Sequence, residues 1–159
     1  MKLARTISLD ISDSRSFVAA APPGELAVTG TFVFSNGTPL ELTGKDKIAF
    51  RESWLGIGSF GNATFVQVTS ISQKEFDDAQ RMLAEYIFKK YEPPGMLDAV
   101  QAARIELEDM VRLCEHPGGT LLAIKREIAV DGIKEQIHVI KSENQGLHAS
   151  IWAIEEGDD

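Results

Sequence analysis

The sequence predicts an α+β fold with a single antiparallel or mixed sheet, a C-terminal three-stranded meander and two longer helices that cover the sheet. Three observations predict it: early segments rich in β-branched and aromatic residues, two long amphipathic patterns in the middle, and a hairpin-rich final third. The predicted order of elements, β-α-β-α-β-α-α-β-β-β, lacks the regular alternation of a doubly wound fold. We expect one globular domain over residues 1–154 and an acidic, frayed tail over residues 155–159.

The first part of the chain is predicted to form a strand, a short helix and a second strand. Residues 2–9 alternate loosely between apolar and polar side chains, as a strand does. The segment Ser12–Ser14 can cap a short helix that runs through Ala21, where a Pro-Pro-Gly sequence ends it. Residues 25–34 favour a strand because they are rich in β-branched and aromatic residues. Gly30 within them indicates a bulge or a close backbone approach.

A helix, a strand and the start of a second helix follow. Thr43 can cap a helix whose apolar residues recur at helical spacing, and Gly56 is a residue type that suits its C-terminus. Residues 63–71 alternate as a strand. The segment Ser72–Glu75 has the pattern of a capping box between flanking apolar residues. It is the clearest helix start in the chain, and the helix is predicted to reach Tyr91.

The last predicted helix covers residues 96–115. Its inner stripe is expected to consist of five residues at helical spacing, Leu97, Val100, Leu107, Val111 and Cys114.

Three antiparallel strands complete the predicted fold. The pair Asp131-Gly132 favours a two-residue hairpin turn. In that register Val130 lies opposite Ile133, Ile124 lies opposite Val139, and Arg126 is diagonal to Glu135 on the same face. A last strand is expected over residues 147–154.

The formal net charge of −8 is concentrated in the second half of the chain. Residues 1–72 carry six basic and six acidic residues, whereas residues 73–159 carry 10 basic and 18 acidic ones. No run of Lys or Arg exceeds two residues, so the basic surface that phosphate backbones require is missing. No apolar run approaches the ~20 residues that span a bilayer. We therefore expect neither nucleic acid nor membrane as a partner.

A glycine-rich stretch is the first candidate site. Gly56, Gly58 and Gly61 have the spacing G-x-G-x-x-G of a dinucleotide-binding turn. Such a turn needs a strand before it and a helix after it, because the helix N-terminus holds the pyrophosphate. Here the predicted order is reversed, so we interpret the stretch as a helix-to-strand connection. A ligand or partner surface remains an alternative, formed by these glycines and the aromatic residues Trp54, Phe60 and Phe65.

The second candidate site is the segment Cys114–Gly119, which follows the last predicted helix. A nucleophilic cysteine needs a depressed pKa and a nearby base, and His116 is two residues away. The helix C-terminus opposes a thiolate, so a buried structural thiol is the favoured interpretation and Cys114 and His116 remain weak catalytic candidates. Gly118 and Gly119 are predicted to belong to the same ligand or partner surface as the glycine-rich stretch. A single cysteine and no recognisable secretory signal favour the cytoplasm.

Metal and cofactor sites are not predicted. The histidines are few, and Glu135 and His138 have the i, i+3 spacing of a helical metal motif but lie in a predicted strand, where they face opposite sides. A structural zinc site needs more Cys and His than the chain provides.

Several segments resemble an uncharacterised bacterial family of small proteins, a domain of unknown function. The resemblance runs from residue 1 to about residue 141. It implies no activity, cofactor or catalytic residue, and it implies by gene association an accessory role near molybdoenzyme or formate dehydrogenase maturation. The segments that carry it are "MKLARTI", "PGELAVTGTFVF", "LGIGSFGNATFV", "CEHPGGTLLAIKRE" and "DGI".

Two functional hypotheses follow from the sequence. The first is a non-enzymatic accessory or protein-interaction domain that self-associates, since no polar constellation predicts a reaction and an exposed sheet edge is available for pairing. The second is a small-molecule-binding protein or enzyme with a pocket between the Trp54–Phe65 stretch and the Cys114–Gly119 turn.

Overall fold

The computed structural model describes residues 1–8, 16–35, 41–142 and 152–156. A 3-10 turn covers Thr31–Phe34. The strands are β1 (Lys2–Ile7), β2 (Ala27–Val28), β3 (Trp54–Gly56), β4 (Asn62–Ala63), β5 (Phe65–Ser70), β6 (Leu121–Ala129), β7 (Gly132–Ser142) and β8 (Trp152–Glu156), and the α-helices are α1 (Gly44–Glu52), α2 (Gln73–Tyr91) and α3 (Met96–Leu113).

Two antiparallel sheets organise these elements. The larger sheet has the strand order β1-β5-β6-β7-β8, and the smaller sheet has the order β2-β3-β4. The predicted α+β class and the C-terminal meander are therefore confirmed, and the smaller sheet is an element that the sequence did not predict. Strand β8 covers the end of the strand predicted over residues 147–154, whose first five residues lie outside the described ones, and it includes Glu155 and Glu156, which were assigned to the acidic tail.

The main core lies where α2 and α3 pack together and against the sheets. The inner stripe of α3 is shifted from its predicted position, since Leu97 is 69% exposed while alanines occupy the contact. Small side chains let two helices approach closely, which explains why alanines rather than large residues line this contact. The buried residues of α3 are Ala99, Ala103, Leu107 and Met110, and Cys114 follows them.

The predicted capping box at the start of α2 is confirmed. The Ser72 side chain accepts a hydrogen bond from the Glu75 N–H at 3.1 Å, and the Glu75 carboxylate accepts one from the Ser72 N–H at 3.0 Å. Glu75 also pairs with Arg5 of β1, which ties the helix start to the sheet. The hydrogen bond from Ser72 and then the contact with Arg5 lower the pKa of Glu75.

Two predictions in the first part of the chain are wrong for most of the residues described. Ser16 is helical, but residues 17–21 are not, and Ala20 bridges to Asn62 instead; the predicted cap, Ser12–Ser14, lies outside the described residues. Only Ala27 and Val28 of the predicted strand over residues 25–34 are in a strand. Gly30, with φ of 79°, turns the chain into the 3-10 turn.

The predicted close approach of Gly30 is confirmed. A side-chain carbon at this position would lie 2.7 Å from Cβ of Leu55. Helix α1 begins after Thr43 as expected but ends at Glu52, and the chain then enters β3 rather than continuing as a helix to Gly56. The extended conformation of Ser53 ends the helix.

The turn of the β6–β7 hairpin lies one residue earlier in the chain than predicted, so each residue of β6 pairs with a residue of β7 two positions before the predicted partner. Ala129 pairs with Gly132, so Val130 and Asp131 form the turn, and Val130 is fully exposed. This register places Ile124 opposite Ile137, two residues that both lie in the core. It also places Arg126 directly opposite Glu135.

Candidate functional site

The glycine stretch encloses a carboxylate of its own chain. Glu25 accepts hydrogen bonds from the Ser59 N–H at 2.7 Å and from the Ser59 hydroxyl at 2.6 Å. A side-chain carbon at Gly56 or Gly58 would lie 2.5 Å from a Glu25 oxygen. The glycines therefore make room for Glu25, and Glu25 already takes the anion-binding donors of Ser59.

No helix follows the glycine stretch. The Gly56 N–H donates to the Gly61 carbonyl at 2.9 Å, which closes the loop, and strand β4 begins at Asn62. A helix N-terminus that could hold a diphosphate is therefore missing at this point.

The aromatic residues around the glycines lie in different surroundings. Trp54 is fully buried in the main core, and Phe60, with φ of 56°, stacks on Tyr86 with ring centroids 4.0 Å apart. Phe65 instead packs with a second small cluster formed by Leu121, Ala123 and Ile140. Trp54 and Phe65 consequently do not share one wall of a pocket.

The Cys114–Gly119 segment is a connection between α3 and β6. Cys114 is fully buried at the end of α3, and burial raises the pKa of its thiol to about 12. The Gly119 N–H donates to the Val68 carbonyl at 2.8 Å, which aligns the connection with β5. Gly118 has open space around it. The segment is thus built for chain reversal, and only Glu115 and His116 reach the cleft described below.

We predict that native Cys114 resists alkylation. Because the thiolate is the reactive form, a pKa near 12 in place of about 9 lowers the labelling rate at pH 8 at least about 100-fold. Iodoacetamide labelling followed by mass spectrometry measures this rate, with the urea-unfolded chain as the reference. Labelling of the folded protein at the rate of the unfolded one would contradict a buried structural thiol.

An acidic cleft of about 940 Å³ lies between the 3-10 turn, the C-terminal half of α3 and strand β7. Four carboxylates line it, and Arg112 and His116 are the basic residues on its rim. Arg112 is already paired with Asp109, so the carboxylates outnumber the positive charges. The residues that line this acidic cleft are Thr29, Thr31, Phe32, Ser35, Glu106, Asp109, Arg112, Leu113, Glu115, His116 and Glu135.

Glu106 is the most perturbed carboxyl group in the acidic cleft. Burial first, and then the negative charges of Asp109 and Glu135, raise its pKa to about 7. A cation in the cleft would offset the repulsion from Asp109 and Glu135. A carboxyl group that titrates near neutral pH in a cleft is typical of a functional site.

A buried arginine holds the other wall of the cleft in place. The Nε of Arg126 donates to the Thr31 hydroxyl at 2.6 Å, and that hydroxyl donates to Glu135. Arg126 is 4% exposed, whereas Glu135 is on the surface of the cleft. The chain of contacts therefore fixes Glu135 on the side facing α3, although the two residues come from neighbouring strands.

Comparison with protein-family models gives a match over residues 1–156 to a family of unknown function, DUF6505. The chain belongs to the DUF6505 family. The match extends past residue 141, so the resemblance was predicted to end too early in the chain. Searches of curated proteins and of solved structures found no significant match.

Two further observations concern this DUF6505 protein. Within the described ranges, no helix combines the length and the apolar character needed to cross a membrane. Over the same residues, no three side chains of His, Cys, Asp or Glu are grouped in a way that could hold a metal ion.

Sequence reasoning did not find the acidic cleft. Glu106 is half-buried, whereas Glu108 and Asp109 on the same helix are exposed. The available signal was helical spacing, because Ile105 and Glu106 continue the stripe that starts at Ala102. Of the predicted site residues, only His116 lines the cleft.

Proposed function

We propose that this DUF6505 protein is a non-enzymatic binding protein whose acidic cleft accepts a basic segment of a partner protein. The observation that carries the proposal is Glu106 in the acidic cleft, a carboxyl group whose ionisation is opposed first by burial and then by the charges of Asp109 and Glu135. A lysine or arginine side chain in the cleft offsets that repulsion, so its binding and the ionisation of Glu106 favour each other. The volume of the cleft suits one or more long side chains.

Several features of the chain agree with an interaction role. The net charge of −8 attracts basic partners and repels phosphates. The one cysteine is buried with a raised pKa, which supports binding over thiol chemistry. An accessory role in the cytoplasm beside molybdoenzyme maturation, and self-association of the chain, belong to the same proposal and rest on the family association and on the exposed sheet edge that the sequence predicts.

We predict that a basic peptide binds about tenfold more tightly at pH 8 than at pH 6, since a carboxyl group with a pKa of about 7 is mostly ionised at pH 8 and mostly neutral at pH 6. Fluorescence anisotropy with a labelled oligolysine, which stays positively charged at both pH values, measures the two affinities. The substitution Glu106→Gln should weaken binding at pH 8 and flatten the pH dependence that Glu106 contributes.

The control for this experiment is Glu108→Gln, which removes the same charge from an exposed position on α3 outside the acidic cleft. Both variants retain His116, which also lines the cleft. Equal losses of affinity in the two variants would indicate long-range attraction to an acidic surface and would contradict a site at Glu106.

A second candidate is a small-molecule-binding protein or enzyme that uses the same cleft. The pKa of Glu106, about 7, favours this candidate, because a general acid or base is most effective when its pKa lies near the ambient pH. In this second candidate function, the acidic cleft takes the place of the pocket that was predicted between Trp54–Phe65 and Cys114–Gly119. A thermal-shift screen with small cationic metabolites tests it, and a rise in melting temperature that Glu106→Gln abolishes would favour it over a protein partner.

A further inference from the structure

A mostly apolar groove adjoins the acidic cleft. This apolar groove has a volume of about 350 Å³ and lies between the end of α2, the middle of α3 and the 3-10 turn. Phe32, Ser35 and Glu106 line both the groove and the cleft, so the two form one continuous depression. Its other walls are Ile87, Tyr91, Ala102 and Ile105.

One stripe of α3 runs along both parts of the depression. Ala102, Ile105, Glu106 and Asp109 follow the i, i+3, i+4, i+7 spacing that places residues on one helix face. The stripe is apolar at its N-terminal end and acidic at its C-terminal end, where Leu113 also lines the cleft. From residue 102 to residue 113 the helix rises by about 16 Å, which matches about three turns of a second helix.

The apolar part has the properties of a contact surface. Ile105 is 57% exposed although it lies in the groove, and Phe32 packs edge-on against Tyr91 with ring centroids 5.9 Å apart. The hydroxyl oxygen of Tyr91 is buried and has no hydrogen-bond partner in the part of the chain that the structure describes. The exposed Ile105 and the Phe32–Tyr91 ring pair therefore give the groove an apolar contact surface, whereas the buried Tyr91 hydroxyl cannot itself meet a bound segment.

We infer that the acidic cleft and the apolar groove together form a docking surface for a basic amphipathic helix of a partner protein. This inference rests on the proposed function and names the form of its partner. The apolar face of such a helix covers Ile105 and Tyr91, while a lysine or arginine further along reaches Glu106 and Asp109. A second copy of this chain fits less well, because a net charge of −8 brings acidic surface to an acidic cleft.

Two labelled peptides of identical Leu and Lys composition and about 14 residues, long enough to span the stripe, test the inference. One has its leucines on a single helical face, and the other has them dispersed. We expect the amphipathic peptide to bind more tightly by at least about tenfold, and Ile105→Ser to remove that advantage without changing the affinity of the dispersed peptide. Leu97→Ser is the matched control, since Leu97 is exposed on the same helix but lies outside the depression.

The outcomes separate this inference from the proposed function. If Glu106→Gln weakens both peptides while Ile105→Ser weakens neither, the cleft still binds basic segments and the inference about the groove is overturned. If Glu106→Gln weakens neither peptide at pH 8, the proposed function itself is overturned.

Two further results would also count against the amphipathic helix. Equal affinities of the two peptides for the wild-type protein would show that the groove takes no part in binding. A dimer in sedimentation experiments that Ile105→Ser dissociates would assign the groove to a second copy of the chain. Circular dichroism checks that every variant is folded.

Discussion

Replacing Arg126 with alanine is expected to destabilise the fold by about 3–5 kcal/mol, because several buried carbonyls lose a charged hydrogen-bond donor, at about 1–3 kcal/mol for each group left unpaired. Its guanidinium donates to the carbonyls of Phe50 and Ser53, each at 2.8 Å, and to those of Ala49 and Thr29. Ala49 and Phe50 lie in the last turn of α1, where carbonyls have no partner within the helix. Arg126 therefore caps this helix from a distant strand.

The cost of the substitution comes mainly from the groups it leaves behind. Burial lowers the pKa of Arg126 to about 10, and the nearby charge of Glu135 opposes this shift, so the guanidinium stays positively charged at neutral pH. Without it, several carbonyls and the Thr31 hydroxyl lose their donor. Arg126→Lys should recover little, because one ammonium group cannot reproduce the fork of donors.

Chemical denaturation of the two variants measures the effect, with Lys125→Ala as the control. Lys125 is the adjacent residue of β6, and its exposed ion pair with Glu52 at 3.3 Å is worth about 0–1 kcal/mol. Similar losses in Arg126→Ala and Lys125→Ala would contradict the role of Arg126 as a helix cap. Because Arg126 also positions Thr31 and Glu135, Arg126→Ala should weaken peptide binding in the acidic cleft as well.

Local signals in the sequence predicted the long elements well. The capping box at Ser72 and the apolar spacing that follows it depend on residues within a few positions of each other, and the structure confirms the helix to Tyr91. The capping of the α1 C-terminus by Arg126 could not be predicted in this way. Its carbonyl partners are more than 70 residues away in the chain, and no spacing rule connects them.

The hairpin between β6 and β7 shows where a local rule gave the wrong register. The pair Asp131-Gly132 favours a turn at those two residues, but the core contact between Ile124 and Ile137 moves the turn to Val130 and Asp131. Tertiary packing therefore overrides turn preference here. The shift puts Arg126 and Glu135 directly opposite each other, next to the cleft that the sequence did not predict.

The glycine stretch was predicted to connect a helix to a strand, and that is wrong at its start, because it joins strand β3 to strand β4. The sequence correctly placed a strand after Gly61, but it gave no indication that Glu25, 31 residues before Gly56, would fill the loop. A glycine pattern reports only that space is needed. Whether a ligand or the chain's own side chain uses that space depends on contacts between distant segments.

Gly61→Ala is expected to be the most damaging of the glycine substitutions. The added carbon would lie 2.7 Å from the Ala21 nitrogen, 2.8 Å from the Ala20 carbonyl carbon and 3.0 Å from the Ala19 oxygen. All three are backbone atoms, so relief of the clash requires the two chain segments to separate. Separation breaks the hydrogen bonds that join Asn62 to Ala19 and Ala21, at 2.8 and 2.9 Å.

Overpacking together with these two backbone hydrogen bonds gives an expected loss of about 2–4 kcal/mol in the free energy of unfolding. Gly118→Ala is the control, since its added carbon meets nothing within 4 Å and the backbone does not need glycine there. It should change stability by less than about 0.5 kcal/mol, or stabilise slightly through the unfolded state. Gly56→Ala should fall between the two, because its nearest neighbour is the flexible end of Glu25. Urea unfolding of the three variants orders them, and a Gly61→Ala variant as stable as Gly118→Ala would show that the segments at Ala19–Ala21 and Asn62 are not held in contact.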